Sequence, residues 1–430
     1  MHVVIVSDQH VESFGGAQVS MRLQARYLER AGHTVSFVMP RWARRAPAPV
    51  DERFLELPAT PITRDREYAA VLPGRRADRA LDAALAARPP VDLVHIQADF
   101  WGNAIGQRLA ERLGVPRVVT LHNRLDVGIA AFAPAFGGLA LRALNAALRL
   151  ALRGGPGARV RGSDATAYFR RLVAGAAVVT APSAHFARRL EVAGVAERVE
   201  VVWNGIDDEL LDATLAERSA APERAADEGS AAPSADAPPR LIWLGRFSPE
   251  KRLLPFLRAL VDSGVRAEVE ILGGGDLEAA ARREAARAGG DTVIRFLGRR
   301  PYPESLARLA AADAVVQTSI GFETQGMTVF EAAALGTPAI MSDPDIAAEL
   351  GACWAVPAAD GEPARERELA ATLRRAVEEL ASGRGVRPDP SIRERFRQSS
   401  RTAEMLRIYV AALGAERPGA PGAGAPDAGR

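Results

Sequence analysis

Apolar residues gather in short blocks along this chain, and stretches with helical spacing separate the blocks. The first block, His2 to Ser7, predicts a buried strand. A loop through Gly15-Gly16 follows. A helical pattern then runs from about Gln18 to Arg30, and Gly32-His33 closes it. Thr34 to Met39 predicts the next strand. Further strands are expected at Leu93 to Gln97, Arg117 to Leu121, Ala177 to Ala181 and Val199 to Val202. Beyond residue 240 the alternation begins again. Leu241 to Leu244, Ala267 to Leu272, Thr292 to Phe296, Ala314 to Val316 and Pro338 to Met341 read as strands, with helical patterns between them.

Strands alternating with helices imply an α/β fold with parallel sheets and right-handed crossovers. Two such series make two Rossmann-like domains, and ligands of such sheets bind at the carboxyl ends of the strands. Ala213 to Pro239, rich in Ala, Ser, Pro, Asp and Glu, is expected to be flexible and to divide the halves. Around Arg393 to Leu413 a helix is expected to pack back across both domains. Gly414 to Arg430 is Gly/Ala/Pro-rich and reads as a disordered tail.

Composition changes this picture little. The 430 residues suit two domains, and 48% apolar residues supply sizeable cores. A net charge of +2 argues against nucleic acid as a partner. Cys353 is the only cysteine, which excludes an internal disulfide and a cysteine-based metal site and suits a reducing cytoplasm. The N-terminal apolar run is too short for a signal peptide and lacks a basic start. No stretch is long and uncharged enough to span a bilayer. One detail does stand out: Lys251 is the only lysine among 55 basic residues. An ammonium is a compact point charge and a guanidinium a wide planar fork. A lysine kept amid arginines suits a tight phosphate cradle.

Glu323 and Glu331 flank seven residues, Thr324-Gln325-Gly326-Met327-Thr328-Val329-Phe330. The pattern Met327 to Leu335 is helical, and Gly336-Thr337-Pro338 stops it. Glu323 then lies in the loop before the helix and Glu331 within it. Backbone N–H groups near Gly326 and Met327 would point from the helix N-terminus, an end that favours phosphate. Two carboxylates near a bound diphosphate suit the hydroxyls of a ribose and a sugar. Gly273-Gly274-Gly275-Asp276 lacks the full Gly-x-Gly-x-x-Gly spacing and reads as a tight turn. That counts against an NAD-dependent oxidoreductase. Asp343-Pro344-Asp345 reads as a turn, so no metal site is expected.

The two glutamates resemble the glutamate–seven–glutamate motif of family 4 glycosyltransferases, which have the GT-B fold. The other pieces are similar in order: the glycine loop Gly15-Gly16, the strand ends Val91 to His95 and Thr120-Leu121-His122, the exit Trp203-Asn204-Gly205-Ile206-Asp207, and Gly245-Arg246 with Lys251. The resemblance covers about residues 1 to 410. It implies an acceptor-side domain over 1–207, a flexible segment over 208–239 and a nucleotide-sugar domain over 240–392. A returning helix at 393–413 and a tail at 414–430 complete the chain.

By this resemblance Arg246 and Lys251 neutralise the donor diphosphate, and the Gly15 and Gly16 backbone and Gly245 approach it. Glu323 binds donor-sugar hydroxyls, with backbone groups of Gly326, Met327 and Thr328 nearby. Glu331 holds the ribose, and His122 touches the sugar at the cleft. The resemblance further implies a retaining, metal-independent hexosyl transfer from a UDP- or GDP-sugar, with no cofactor. A non-catalytic nucleotide-sugar-binding subunit is disfavoured because both glutamates, Arg246 and Lys251 are all present.

The acceptor is less defined. Glu323 to Thr328 and Val94 to Gln97 resemble the diacylglycerol glucosyltransferase and phosphatidylinositol mannosyltransferase-like branch, which implies a lipid or glycan acceptor. An inositol phosphate is the alternative. In 136–153, Leu141, Leu144, Leu148 and Leu152 share a helical face beside Arg142, Asn145, Arg149 and Arg153. Such a helix suits either an anionic membrane surface or packing on the N-terminal domain.

Overall fold

The computed structural model describes residues 1–13, 15–41, 51–62, 69–124, 127, 137–227 and 237–414. The chain forms two parallel sheets with helices on both faces. In spatial order the first sheet runs Phe54–Leu57, Thr34–Pro40, His2–Ser7, Leu93–Gln97, Arg117–Thr120, Val178–Ala181, Glu200–Val201. The second runs Thr292–Gly298, Ala267–Gly274, Arg240–Arg246, Ala314–Gln317, Ala339–Met341, Trp354–Ala355. In each, chain order reverses beside the first strand, which opens a crevice at the carboxyl ends. The sequence reading lacks the edge strands Phe54–Leu57 and Trp354–Ala355, which are too short to show a pattern.

Alternate residues of the central strands feed different cores. Val4 and Val6 face one side of the first sheet, and Val3 and Ile5 the other. In the second sheet Ile242 and Val315 face one side, Leu241 and Trp243 the other. Burial on both faces explains why these strands read as unbroken apolar runs.

Met405, Ile408, Tyr409 and Ala412 of the last described helix, Gln398–Gly414, complete the first domain's core beside Val3, Ile5 and Met21. The preceding helix, Ser391–Phe396, places Ile392 and Phe396 in the second domain's core. The chain therefore crosses between domains twice, and the crossings pair. The Ile206 N–H donates to Phe396 O at 3.0 Å, and the Gln398 N–H to Ile206 O at 2.8 Å. A Cβ on Gly205 would stand 2.9 Å from Gln398 Cα, so the crossing admits only glycine there.

One expectation needs correction, and one pair of alternatives is narrowed. The 208–239 segment is not a flexible linker throughout, because a helix occupies Asp208–Asp227. Leu211 is fully buried in the second domain's core, with Leu210 and Leu215 packed against it. Alanine, charged against the segment as low complexity, is the best helix former. For the leucine row of 136–153, packing on the first domain, one of the two alternatives, is what the structure shows. In the helix Gly137–Ala151, Leu148 is buried in the first domain's core and Leu144 packs on it, as does Leu152 just beyond. Asn145 is no part of a surface stripe: it is buried and accepts from Arg171 Nε at 3.0 Å. Residues 415–430, where the tail is expected, and residue 136 lie outside the described residues.

Candidate active site

A cavity of about 300 Å3 opens where the carboxyl ends of the two sheets meet. Its walls come from both domains. Gly16, His122 and Asn204 belong to the first, and Lys251, Glu323 and Met327 to the second. Gly16 opens the helix Gly16–Arg30. A Cβ there would stand 3.3 Å from Met327 Sδ, so a bare backbone lets the two helix N-termini approach.

The helix Met327–Ala334 begins on Gly326 at φ 75°, a left-handed conformation that favours glycine. Met327 and Thr328 of its first turn line the cavity, at the positive end of the helix dipole. Lys251 ends a short 3-10 turn, Pro249–Lys251, held because Thr318 Oγ1 donates to the Lys251 carbonyl at 2.8 Å. Lys251 Nζ donates to Glu323 Oε1, which also accepts from Ser319 Oγ at 3.0 Å. The lone lysine and the first glutamate, 72 residues apart, are thus a direct ion pair at the cavity wall.

The other expected residues are less centrally placed. Arg246 ends its strand with an exposed side chain 3.3 Å from Glu250 and does not line the cavity. Gly245 does not line it either, and a Cβ there would meet the Trp243 ring at 3.0 Å. Gly15 precedes the helix as its cap in extended backbone. Glu331 is buried within its helix, and Tyr302 hydroxyl donates to its Oε1 at 2.6 Å. Burial raises its pKa to about 7 although the Tyr302 bond pulls downward. His122 lines the cavity, and burial depresses its pKa to about 4, so the ring is neutral at physiological pH. Asp343 is an ordinary helix cap that accepts from Asp345 and Ile346 N–H groups. No cluster of three or more His, Cys, Asp or Glu side chains suited to a metal occurs among the described residues.

Sequence reasoning missed the polar groups that clamp the domains around the cavity. Gln325, inside the glutamate motif, accepts from the Asn204 N–H at 2.9 Å and donates to the Asn204 carbonyl at 3.1 Å. Thr324 Oγ1 donates to the His122 carbonyl at 2.9 Å. Glu349 accepts from Trp203 Nε1 at 3.0 Å and pairs with His185 Nδ1 at 2.9 Å. Also missed was a buried carboxylate pair under the cavity. Asp8 accepts the N–H groups of Asp99, Phe100 and Gly102, and Asp99 accepts from Asn123 Nδ2 at 2.5 Å. Burial raises Asp8 to about 6 and, helped by the Asp8 charge, Asp99 to about 7. Nothing in the local sequence marks these roles, because each partner lies on another strand end.

Two family models match in tandem: "Glycosyltransferase Family 4" over residues 14–210 and "Glycosyl transferases group 1" over residues 228–379. The chain belongs to glycosyltransferase family 4. Two relatives, the GDP-mannose-dependent alpha-(1-6)-phosphatidylinositol dimannoside mannosyltransferases of two Mycobacterium tuberculosis strains, are 36% identical over 121 residues. That match spans 26% of this chain and 31% of the relatives' length.

Solved structures share the fold over most of the chain. Anabaena HepE in complex with UDP-glucose has a TM-score of 0.62 at 17% identity, covering 96% of this chain and 100% of that one. The lipopolysaccharide outer core galactosyltransferase WaaB in its apo form has a TM-score of 0.61 at 13% identity, covering 96% and 99%. These likenesses establish the GT-B fold of this family 4 chain.

Proposed function

We propose that this family 4 chain transfers a hexose from a nucleotide diphosphate sugar to an acceptor. The observation that carries the reading is the convergence of Gly16, Lys251, Glu323 and the Met327 helix N-terminus on one interdomain cavity. A cation and a helix N-terminus together fit a diphosphate. A carboxylate beside them fits sugar hydroxyls.

In this reading the donor separates the Lys251–Glu323 pair. Lys251 turns to the diphosphate, and Glu323 accepts hydroxyls of the sugar. Charge that develops on the leaving nucleotide is met by Lys251 and the helix N–H groups, already in place. Arg246 supplies a second cation by swinging its exposed side chain inward. Glu331 receives the ribose hydroxyls in place of Tyr302. His122 and the Gly326, Met327 and Thr328 backbone border the sugar.

Retention without a metal is proposed from family membership and from the placing of Lys251 where the leaving group would sit. The acceptor is proposed to be a lipid or glycan, in keeping with the phosphatidylinositol dimannoside in the name of the mycobacterial relatives. Any membrane contact through 136–153 would use the outward Leu139 and Leu150 with Arg142, Arg149 and Arg153, because the inner leucines are packed. Among the described residues no helix is long and apolar enough to cross a membrane.

The test is a panel of UDP-, GDP- and ADP-sugars offered with a lipid extract, products being read by mass spectrometry. Expected is one hexosylated product that Glu323→Ala abolishes. Absence of nucleotide release from every donor, or equal turnover by Glu323→Ala, would sink the reading.

A further inference from the structure

Behind His122 lies a buried polar chain that the roles above do not use. His122 Nε2 stands 2.9 Å from Gln97 Oε1. The Gln97 amide nitrogen lies 2.5 Å from Gln24 Oε1 and 3.3 Å from His95 Nδ1. Gln24 Nε2 donates to the Tyr409 hydroxyl at 3.1 Å, and that hydroxyl lies 2.7 Å from His95 Nδ1. His95 Nε2 lies 2.7 Å from Thr120 Oγ1, which in turn lies 2.5 Å from Thr180 Oγ1. Every member is buried, and none of their side-chain polar atoms is a buried orphan.

Hydrogen counting gives the chain a direction. An amide nitrogen has two hydrogens and accepts nothing. Gln97 directs them at Gln24 and His95, so only its carbonyl meets His122. The hydrogen of that bond must then come from His122 Nε2. At the other end, His95 Nδ1 faces two donors, Gln97 and Tyr409. Its own hydrogen therefore sits on Nε2 and goes to Thr120.

We propose that Gln97 is a positioning residue that fixes His122 as the Nε2–H tautomer. Gln24, His95 and Tyr409 set its polarity, so that Nδ1 stands as an unprotonated acceptor at the cavity. Nδ1 has no hydrogen-bond partner among the described residues, and the residue lines the cavity wall. The ring therefore accepts a hydrogen bond from a ligand hydroxyl and has no N–H to offer a ligand oxygen. Tyr409 belongs to the C-terminal helix, so an element remote in sequence from the cleft sets the polarity of a group inside it. The catalytic consequence rests on the proposed donor cavity, but the tautomer does not.

Two arms keep these apart. In the first, the full chain carrying 15N-histidine is studied without ligand by long-range proton–nitrogen correlation, with His122 assigned by His122→Asn. The Nε2–H pattern is expected in the wild type from pH 6 to 8, giving way to a mixture or to Nδ1–H in Gln97→Leu. A wild-type Nδ1–H pattern, produced if both amides pointed the other way, would overturn the proposal. So would an unchanged tautomer in Gln97→Leu. Should that variant not fold, the wild-type spectrum alone decides.

The second arm uses Gln97→Glu, whose carboxylate facing Nε2–H should raise the His122 pKa by about one unit or more. Donor turnover should then fall on the acid side, where a protonated Nδ1 can no longer accept, while the wild type stays flat there. A pKa left in place in Gln97→Glu would also overturn the proposal. No turnover by any protein would instead count against the glycosyltransferase reading, with the tautomer result still standing.

Discussion

Lys251 and Glu323 neutralise each other in the free protein, which resolves a difficulty at the residue scale. A lone ammonium at a closed cavity wall would be costly to leave unpaired, and so would a lone carboxylate. Paired, they wait for a ligand carrying both an anion and hydroxyls. Arginine at 251 would bring a wide fork into a space shaped by Ser319, Glu323 and the helix N-terminus. Lys251→Arg is therefore expected to lower donor turnover by about 10-fold or more, roughly 1.4 kcal/mol of transition-state binding. Wild-type kinetics in that variant would show that compactness is irrelevant.

Glu331 makes a separate residue-scale prediction. Its folded pKa, about 7, lies above its ordinary value of 4.5, mainly through burial. The folded state thus holds a proton that the unfolded chain loses, and stability falls as pH rises from about 4.5 to about 7. The burden above that window is of the order of 3 kcal/mol. Glu331→Gln should therefore gain stability relative to the wild type at pH 8 and not at pH 4, read as denaturant midpoints. Equal differences at both pH values would contradict the assignment. Asp8 and Asp99 carry the same sign, so the variant should flatten the pH dependence without abolishing it.

At the scale of elements, the donor helix depends on its first residue. Gly326 at φ 75° lets the chain turn from the Glu323 loop into Met327–Ala334. A side chain there costs roughly 1–2 kcal/mol in the left-handed conformation and would also press on Ile346 Cδ1, 3.2 Å from the added Cβ. Gly326→Ala should weaken nucleotide binding, measured by calorimetry, more than it weakens the fold. The helix Asp208–Asp227 makes a different prediction. If Leu211 anchors it, Leu211→Ala should cost about 2–5 kcal/mol, whereas a truly flexible linker would tolerate the change.

Elements also show how far a sequence can be read. The strands and the helix after Glu323 were legible because their signals are local: an apolar run, a helical spacing, a stop at Gly336-Thr337-Pro338. The helix at 208–227 was not, because its few apolar residues matter only once Leu211 meets the second domain's core. The 136–153 stripe left two alternatives open for the same reason. A pattern of leucines gives an apolar face but does not say whether lipid or protein covers it.

Across the whole molecule, two sets of contacts hold the domains together beside the site. Gln325 grips the Asn204 backbone, and Glu349 collects donors from Ala184, His185 and Trp203. Burial pushes the Glu349 pKa up, but the His185 and backbone bonds outweigh it and leave the carboxyl below its ordinary value. With a depressed folded pKa, its contribution is present above the ordinary carboxylate range and is lost only as pH falls below it. Glu349→Ala leaves those donors unpaired, so the domains should part more readily at neutral pH. A larger radius of gyration by X-ray scattering in the variant is the expected result, and an unchanged profile would show that Gln325 and the paired crossings suffice.

The amino-acid sequence by itself determined the alternation of strands and helices, the two parallel sheets, the Glu323–Glu331 spacing across a helix start, and the singular Lys251. All of these depend on neighbours a few residues apart. Tertiary structure alone decided that Lys251 meets Glu323, that Gln325 clamps Asn204 across 121 residues, and that Thr324 reaches the His122 carbonyl across 202. It also decided that Arg246 rests outside the cavity and Glu331 beneath Tyr302. The physical reason is that a hydrogen bond or ion pair forms where two folded strand ends come within about 3 Å, and no local pattern records which distant residue the fold brings there.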